Sequence, residues 1–362
     1  MCNKRILMMV NTPIQYDARV QRAANALKEF GVTVLSMNSD KTYTNSDFES
    51  KVFVNTFFKG FILNVLFEIY LLFYCLKNRQ KYALFYVHDY PIVFAGWIAA
   101  LLCGKKWVYD AHELLLQRKT NKIPFKRRFF VFLERISIGH ADLVVAANYE
   151  RERIVRNVYH LVNTIHINNV ANIQIELGNS REKKEYIVYQ GCVSKERDLR
   201  PFIGALAKMD KNVTMRIVGG GDGLNYFKQY THERNLDAKV VFTGRLPYDK
   251  LLNESLEGKI GILVYPMEGL NNLYCSPNKI YEYAQAGLPM LVSPQPFLKQ
   301  MINKYHIGEI LEYPFNEDDI ALKANKILLD YESYSFGLKT FCESYSFNNE
   351  CRRLNYAVKS II

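Results

Sequence analysis

Short apolar runs alternate with amphipathic segments along the chain, and this alternation predicts its elements. Ile6–Val10 is apolar throughout and ends in the turn Asn11-Thr12-Pro13. Arg19, Val20, Ala23, Ala24 and Leu27 then recur at helical spacing, and Gly31 closes the segment before the next apolar run, Val32–Met37. The unit is strand, helix, strand. The same rhythm predicts strands at 83–88, 107–110 and 142–146, with helices at 92–102, 124–138 and 148–158. A second series has strands at Tyr186–Gln190, Thr214–Val218, 240–242, 260–265 and Met290–Val292, and helices at 199–208, 224–234 and 277–286. The most apolar stretch, 60–76, is interrupted by Asn64 and Glu68. It is slightly short for a membrane span and reads as a buried or interfacial helix.

Strands that alternate with helices imply an α/β chain with parallel sheets covered on both faces. Polarity rises between Asn172 and Glu185, and no residue from Gly178 to Lys184 is apolar, so a linker is expected there. The expected domains are 1–176 and 185–338, with 339–362 as a C-terminal helix packing back on the first. Two doubly wound domains would leave a cleft between the carboxyl ends of their sheets, where such folds bind ligands.

Length and composition agree. The 362 residues, 49% hydrophobic, suit two ordinary domains and exclude a disordered chain. The net charge of +11 is lopsided: residues 1–180 carry 23 basic and 14 acidic groups, the remainder 24 and 22. The first half is therefore expected to face something anionic: membrane, nucleic acid or acidic substrate. Seven scattered cysteines with no Cys-x-x-Cys pair argue against a disulfide framework or structural zinc and for a reducing cytosol. The N-terminus reads as a buried strand, not a signal peptide.

Candidate chemistry gathers at strand ends. Ser276-Pro277-Asn278-Lys279-x-x-Glu282 lies between a strand and a strongly patterned helix. Serine as N-cap and proline as first helical residue would leave backbone donors aimed into the loop, a site for phosphate. Lys279 adds a cation there, and Glu282 a carboxylate able to accept two ribose hydroxyls. Against this stands a capped helix with surface Lys and Glu. Gly219-Gly220-Gly221-Asp222-Gly223 follows a strand, where glycines admit a ligand to the backbone or make a tight turn. Arg197, six residues after Gly191, could clamp a diphosphate or be a solvated surface arginine. In the first half, Tyr109-Asp110-Ala111-His112-Glu113 and His88-Asp89 end strands. His112 could bind a sugar hydroxyl or a leaving phosphate, or be structural. These groups form no plausible metal triad, and no metal is required.

Together these segments resemble family 4 of the retaining glycosyltransferases, which have the GT-B fold of two Rossmann-like domains facing a central cleft. Tyr16-Asp17-Ala18-Arg19-Val20 resembles the family's D-x-R-V opening, and Tyr109 to Leu114 its D-x-H-E segment. Gly191 to Asp198 matches G-R-x-x-x-x-K-G in spacing, Val218 to Gly221 resembles V-G-x-G, and Phe242-Thr243-Gly244-Arg245 resembles F-x-G. The most specific match runs from Ser276 through Glu282 to Gly287 and Pro289. Tyr274 stands where the family's first glutamate commonly contacts the donor sugar, and Cys192 where the arginine of G-R is expected.

The resemblance implies transfer of a sugar from a nucleotide diphosphate donor with anomeric retention. The leaving phosphate itself would help deprotonate the acceptor. It assigns His112, Arg197 and Lys279 to catalysis. Gly191, Gly219, Gly221, Arg245, Ser276, Asn278 and Glu282 fall to the donor, and Asp17, Arg19 and Glu113 to the acceptor side. It implies no cofactor and no metal, and a glycan or lipid-linked acceptor in surface polysaccharide or glycolipid synthesis. The rival readings are another GT-B enzyme, such as a nucleotide-sugar epimerase, and a basic nucleic-acid-binding protein. The aromatics fall mainly in apolar periodic segments and read as core, against nucleic acid.

Charge and pattern also suggest a membrane contact. Lys122, Lys126, Arg127, Arg128 and Arg135 surround a helix on which Phe125, Phe129, Phe132, Leu133 and Ile136 recur. A basic amphipathic helix of this kind is expected at an anionic bilayer surface, with 57–76 extending it, unless both stripes face the core. The place of action expected is the cytoplasm, at the inner face of the cell membrane.

Overall fold

The computed structural model describes residues 5–38, 43–55, 57–115, 125–172, 183–246 and 248–362, apart from the side chains of 125–127, 248, 249, 251 and 252. Contacts divide the chain into two units, Met1–Asn169 with Phe347–Ile362, and Val170–Ser346.

The first unit is built on seven strands: β1 (Ile6–Val10), β2 (Val32–Met37), β3 (Phe48–Phe53), β4 (Leu84–His88), β5 (Lys106–Ala111), β6 (Leu143–Ala146) and β7 (Thr164–His166). Their order is β3-β2-β1-β4-β5-β6-β7, and every pairing is parallel. All residues of β1, β2 and β4 are buried, which is why their sequences are almost wholly apolar rather than alternating. The chain winds outward to β3, then returns past β1 to β4. This reversal opens a crevice at the carboxyl ends of β1 and β4.

The second unit repeats the plan with β8 (Tyr186–Gln190), β9 (Thr214–Val218), β10 (Val240–Gly244), β11 (Ile260–Leu263), β12 (Met290–Val292) and β13 (Gly308–Ile310). The order is β10-β9-β8-β11-β12-β13, again all parallel, with the reversal between β8 and β11.

The expected linker overlaps residues 173–182, which lie outside those described. The C-terminal boundary differs from expectation: residues 339–346 belong to the second unit, and only Phe347–Ile362 joins the first. Aromatic packing explains the split. The helix Ser335–Ser344 lies against Asn278–Gln285 and Pro296–Tyr305, with Phe341 stacked on Tyr281 at 5.7 Å between ring centres. The helix Phe347–Lys359 packs instead on Ala18–Ala26, burying Leu354 and Val358. Its Glu350 accepts hydrogen bonds from the Asn168 backbone N–H at 2.9 Å and side-chain amide at 3.1 Å.

Two helices of the first unit depart from simple amphipathicity. Gly60–Asn78 is apolar all round, yet only the Leu63, Phe67, Leu71, Cys75 stripe is buried. Phe61, Ile62, Val65, Ile69, Phe73 and Leu76 form an exposed stripe, with Phe73 70% exposed. By length and composition this is the one helix, among the described residues, apolar enough to cross a membrane. On Phe125–Ser137 the expected apolar face is not the buried one. Phe130, Glu134 and Ser137 are buried, whereas Phe129 and Phe132 are exposed. Glu134 is drawn inward because the hydroxyls of Tyr109 and Tyr159 each donate to it at 2.6 Å. Of the basic residues singled out there, Arg128 and Arg135 are exposed. Lys122 and the side chains of Phe125, Lys126 and Arg127 lie outside those described.

Candidate functional site

In the second unit, the crevice at the ends of β8 and β11 holds a cavity of about 290 Å³. Gln190 and Gly191 from the end of β8 line it, with Val264 and Tyr265 beyond β11, the side chain of Arg197, and Ser276 to Lys279. Buried polar groups hold these segments in place. The backbone N–H of Gln190 donates to the Tyr283 hydroxyl at 3.0 Å, tying the helix Asn278–Gln285 to β8. The Tyr265 N–H donates to Ser293 Oγ at 2.9 Å, and Gln295 Nε2 donates to the Tyr265 carbonyl at 3.0 Å.

The helix start differs in detail from expectation. Pro277, not Ser276, is the cap residue, with extended backbone (φ −75°, ψ 127°), and no side chain caps the helix that begins at Asn278. Helix-terminal N–H groups without a side-chain cap suit an anion. The two expected cations line the cavity, each already anchored. Arg197 Nη1 donates to the Val264 carbonyl at 2.8 Å, and its guanidinium lies over the Tyr265 ring at 4.1 Å. Lys279 is paired with Glu282 one turn along. Glu282 is 7% exposed, so it faces Lys279 rather than standing open as a surface carboxylate.

The glycine loop is explained first by packing. A Cβ on Gly219 would sit 1.9 Å from the Gly191 carbonyl oxygen, and one on Gly221 would sit 2.4 Å from that of Val193. The loops after β8 and β9 touch backbone to backbone, which only glycine permits. Arg245 is exposed, with its stem beside Gly220, and does not line the cavity. Cys192 is exposed beside Gly191.

In the first unit, the carboxyl ends of β1, β4 and β5 carry a bonded polar cluster centred on Asp110. Arg19 donates to Asp110 Oδ1 through Nε at 3.0 Å and Nη2 at 2.6 Å, and to Asn169 Oδ1 at 2.7 Å. The Tyr86 hydroxyl donates to Asp110 Oδ2 at 3.2 Å, where His88 Nδ1 also approaches at 3.4 Å. His88 Nδ1 and His112 Nε2 share a hydrogen bond of 3.2 Å. Burial opposes the Asp110 charge, but Arg19 and the histidines hold its carboxyl far below the usual range. For His112, burial, with help from Arg19 and His88, lowers the imidazole to about 3 against the pull of Asp110, so it is neutral at pH 7. Ligand atoms of His88, Asp110 and His112 lie within 4.8 Å of one another. Arg19 already neutralises the carboxylate among them.

Of the residues expected on the acceptor side, Asp17 caps the helix Ala18–Ala26 by accepting from the Val20 N–H at 3.2 Å, and Thr12 donates to it at 2.9 Å. Burial resists its charge, but His112 and His88 hold its carboxyl below the usual range. Arg19 serves Asp110, and Glu113 is exposed. Sequence reasoning did not single out Tyr265, which carries Arg197, and it placed Asp110 in the D-x-H-E segment without seeing it as the hub of the first cluster. Both stand at or just beyond strand ends beside the two reversals. Strand order would have located them, and strand order is not readable from periodicity.

Two family models match the chain: "Glycosyl transferase 4-like domain" over residues 64–163 and "Glycosyl transferases group 1" over 172–335. An uncharacterised glycosyltransferase of Methanocaldococcus jannaschii is 23% identical over 295 residues, 75% of this chain and 73% of that protein. A Campylobacter jejuni α-1,4-N-acetyl-D-galactosaminyltransferase is 28% identical over 163 residues, 43% of this chain and 44% of that protein. Among solved structures, Anabaena HepE in complex with UDP and glucose superposes with a TM-score of 0.77 at 16% identity, covering 99% of this chain and 100% of that one. WaaG, a glycosyltransferase involved in lipopolysaccharide biosynthesis, gives 0.70 at 12%, covering 97% and 98%. The two matched regions and the two doubly wound units agree: the chain belongs to the family 4 type of GT-B glycosyltransferases.

Proposed function

We propose that this glycosyltransferase moves a sugar, with retention, from a nucleotide diphosphate sugar to a glycan or lipid-linked acceptor at the inner face of the cell membrane. The observation that carries the reading is the cavity between β8 and β11, where Arg197, Lys279 and an uncapped helix start converge. A diphosphate suits these groups, and they stabilise it further as the glycosidic bond loosens. In this reading they supply the positive charge, and no metal is required. Glu282 takes the ribose, and the Lys279 pairing orients it. His112, neutral and hydrogen-bonded to His88, acts on the reacting sugar as a hydrogen-bonding group rather than as a cation.

The relatives support the substrate classes. HepE has been solved with UDP-glucose, and the name of the Campylobacter jejuni relative places its acceptor on PP-undecaprenol. A lipid-borne acceptor agrees with the exposed apolar stripe of Gly60–Asn78. The comparisons do not favour an epimerase or a nucleic-acid-binding protein.

Calorimetry with UDP, GDP and ADP tests the donor site. One of them should bind the wild type, and Arg197→Ala should weaken it by roughly 1.5–3 kcal/mol, the worth of a charged hydrogen bond. The bare nucleoside should lose less. A wild type that ignores all three, or an Arg197→Ala variant with unchanged affinity, defeats the assignment.

A further inference from the structure

His88, the last residue of β4, is fully enclosed, and its two ring nitrogens have opposite surroundings. Nδ1 lies 3.2 Å from His112 Nε2 and 3.4 Å from Asp110 Oδ2. Nε2 is buried and has no hydrogen-bond partner. A neutral imidazole carries its proton on one nitrogen and a lone pair on the other. With the proton on Nε2, an N–H would be buried without an acceptor. The Nδ1 lone pair would then face a carboxylate that Arg19 holds ionised from 2.6 Å. With the proton on Nδ1, the N–H has acceptors beside it, and only a lone pair goes unfilled. A buried N–H without a partner is the rarer defect, so the surroundings select Nδ1–H.

We propose that His88 is a positioning residue that fixes the tautomer of His112. The Nδ1–H of His88 donates to His112 Nε2, which is therefore bare, and the proton of the His112 ring resides on Nδ1. A free histidine ring prefers the other form, Nε2–H. Asp110 supports the arrangement, because its carboxylate favours a proton on the His88 nitrogen that faces it. Arg151 Nη1 donates to the His112 carbonyl at 2.7 Å and steadies the backbone that carries the ring. The consequence for transfer rests on the reading above that His112 acts on the reacting sugar. With Nε2 committed to His88, the ring keeps no lone pair to take a proton from the acceptor. It offers an N–H to an oxygen that gains negative charge. The base then lies elsewhere, which agrees with a leaving phosphate in that role.

Nitrogen NMR on protein labelled with 15N-histidine tests the proposal, since a protonated ring nitrogen resonates far from a bare one. Comparison with His112→Gln identifies the His112 signals. At pH 7 and without ligand, wild-type His112 should show a protonated Nδ1 and a bare Nε2. His88→Phe keeps a ring in the enclosed place but removes the donor, and the two His112 signals should exchange character. His88→Asn returns an amide N–H near the lost Nδ1 and should restore the wild-type pattern, which a loss of packing alone would not do. A wild-type His112 protonated on Nε2 overturns the proposal whether or not the variants fold. So does an unchanged His112 pattern in His88→Phe. A His112→Gln variant that transfers sugar at the wild-type rate would fault the sugar reading instead, because the nitrogen signals are read without substrate.

Discussion

Asp89 and His112 stand near one another at the same sheet edge, yet they couple to pH in opposite senses. The Asp89 carboxyl is raised from 3.8 to about 7. Between those values the folded chain keeps a proton that the unfolded chain has released, so stability falls as pH rises through that window. His112 is lowered from 6.5 to about 3. There the unfolded chain takes the proton first, so stability is full above about 6.5 and falls as pH drops towards 3. Asp89→Asn should therefore stabilise more at pH 8 than at pH 5, and His112→Gln should lose less stability than wild type between pH 7 and pH 5. Urea midpoints at these values read both, and pH-independent differences would contradict them. At the proposed donor site, the Lys279–Glu282 pair makes the two residues act as a unit. Glu282→Ala and Lys279→Ala should each cost about 1.5–3 kcal/mol of nucleotide diphosphate affinity. The double variant should lose clearly less than their sum, because each single change also strands the partner. Additive losses in calorimetry would show that the pair is incidental to binding.

At the scale of elements, the helix Gly60–Asn78 presents the sharpest question. Its inner stripe is core, but its outer stripe leaves Phe61, Ile69 and Phe73 at the surface, between exposed Lys59 at one end and Lys77, Arg79 and Lys81 at the other. Apolar side chains framed by cations match the interface of an anionic bilayer. Phe61→Glu with Phe73→Glu should abolish co-sedimentation with phosphatidylglycerol vesicles at low salt and leave nucleotide affinity intact. A double variant that still sediments would remove this helix from the membrane contact. Periodicity announced most elements, since β1, β2, β8, β9 and β12 are short apolar runs bounded by turns. It did not announce β3, whose FESKVF sequence is half polar because an edge strand is open to water. Nor did it announce β7 and β13, three residues each, too short to carry a period. Of the candidate site, the segment Ser276 to Lys279 was legible in the sequence, and it lines the cavity beside β8. The Lys279–Glu282 pair follows from their i,i+3 spacing on one helix, whereas the positive φ of Asp89 was not legible, because it arises from tertiary placement that composition and spacing do not encode.

The whole chain starts in one unit, completes the other, and comes back. The returning helix, Phe347–Lys359, is an integral part of the first core: Leu354 and Val358 join the cluster formed by β1, β2 and the helix Ala18–Ala26. Glu350 closes the contact through Asn168. Such an arrangement separates the stability of the first unit from ligand affinity in the second, since no donor-site residue lies on the returning helix. Leu354→Ala should cost about 2–5 kcal/mol, the range for emptying a leucine-sized space in a packed core. In a calorimetric scan the loss should appear in the transition that nucleoside diphosphate does not protect, because a ligand raises the melting point of the unit that binds it. Nucleotide affinity at 25 °C should stay at the wild-type value. If Leu354→Ala instead weakens nucleotide binding as much as it lowers stability, the units do not fold as separate cooperative bodies, and the returning helix supports the donor site as well.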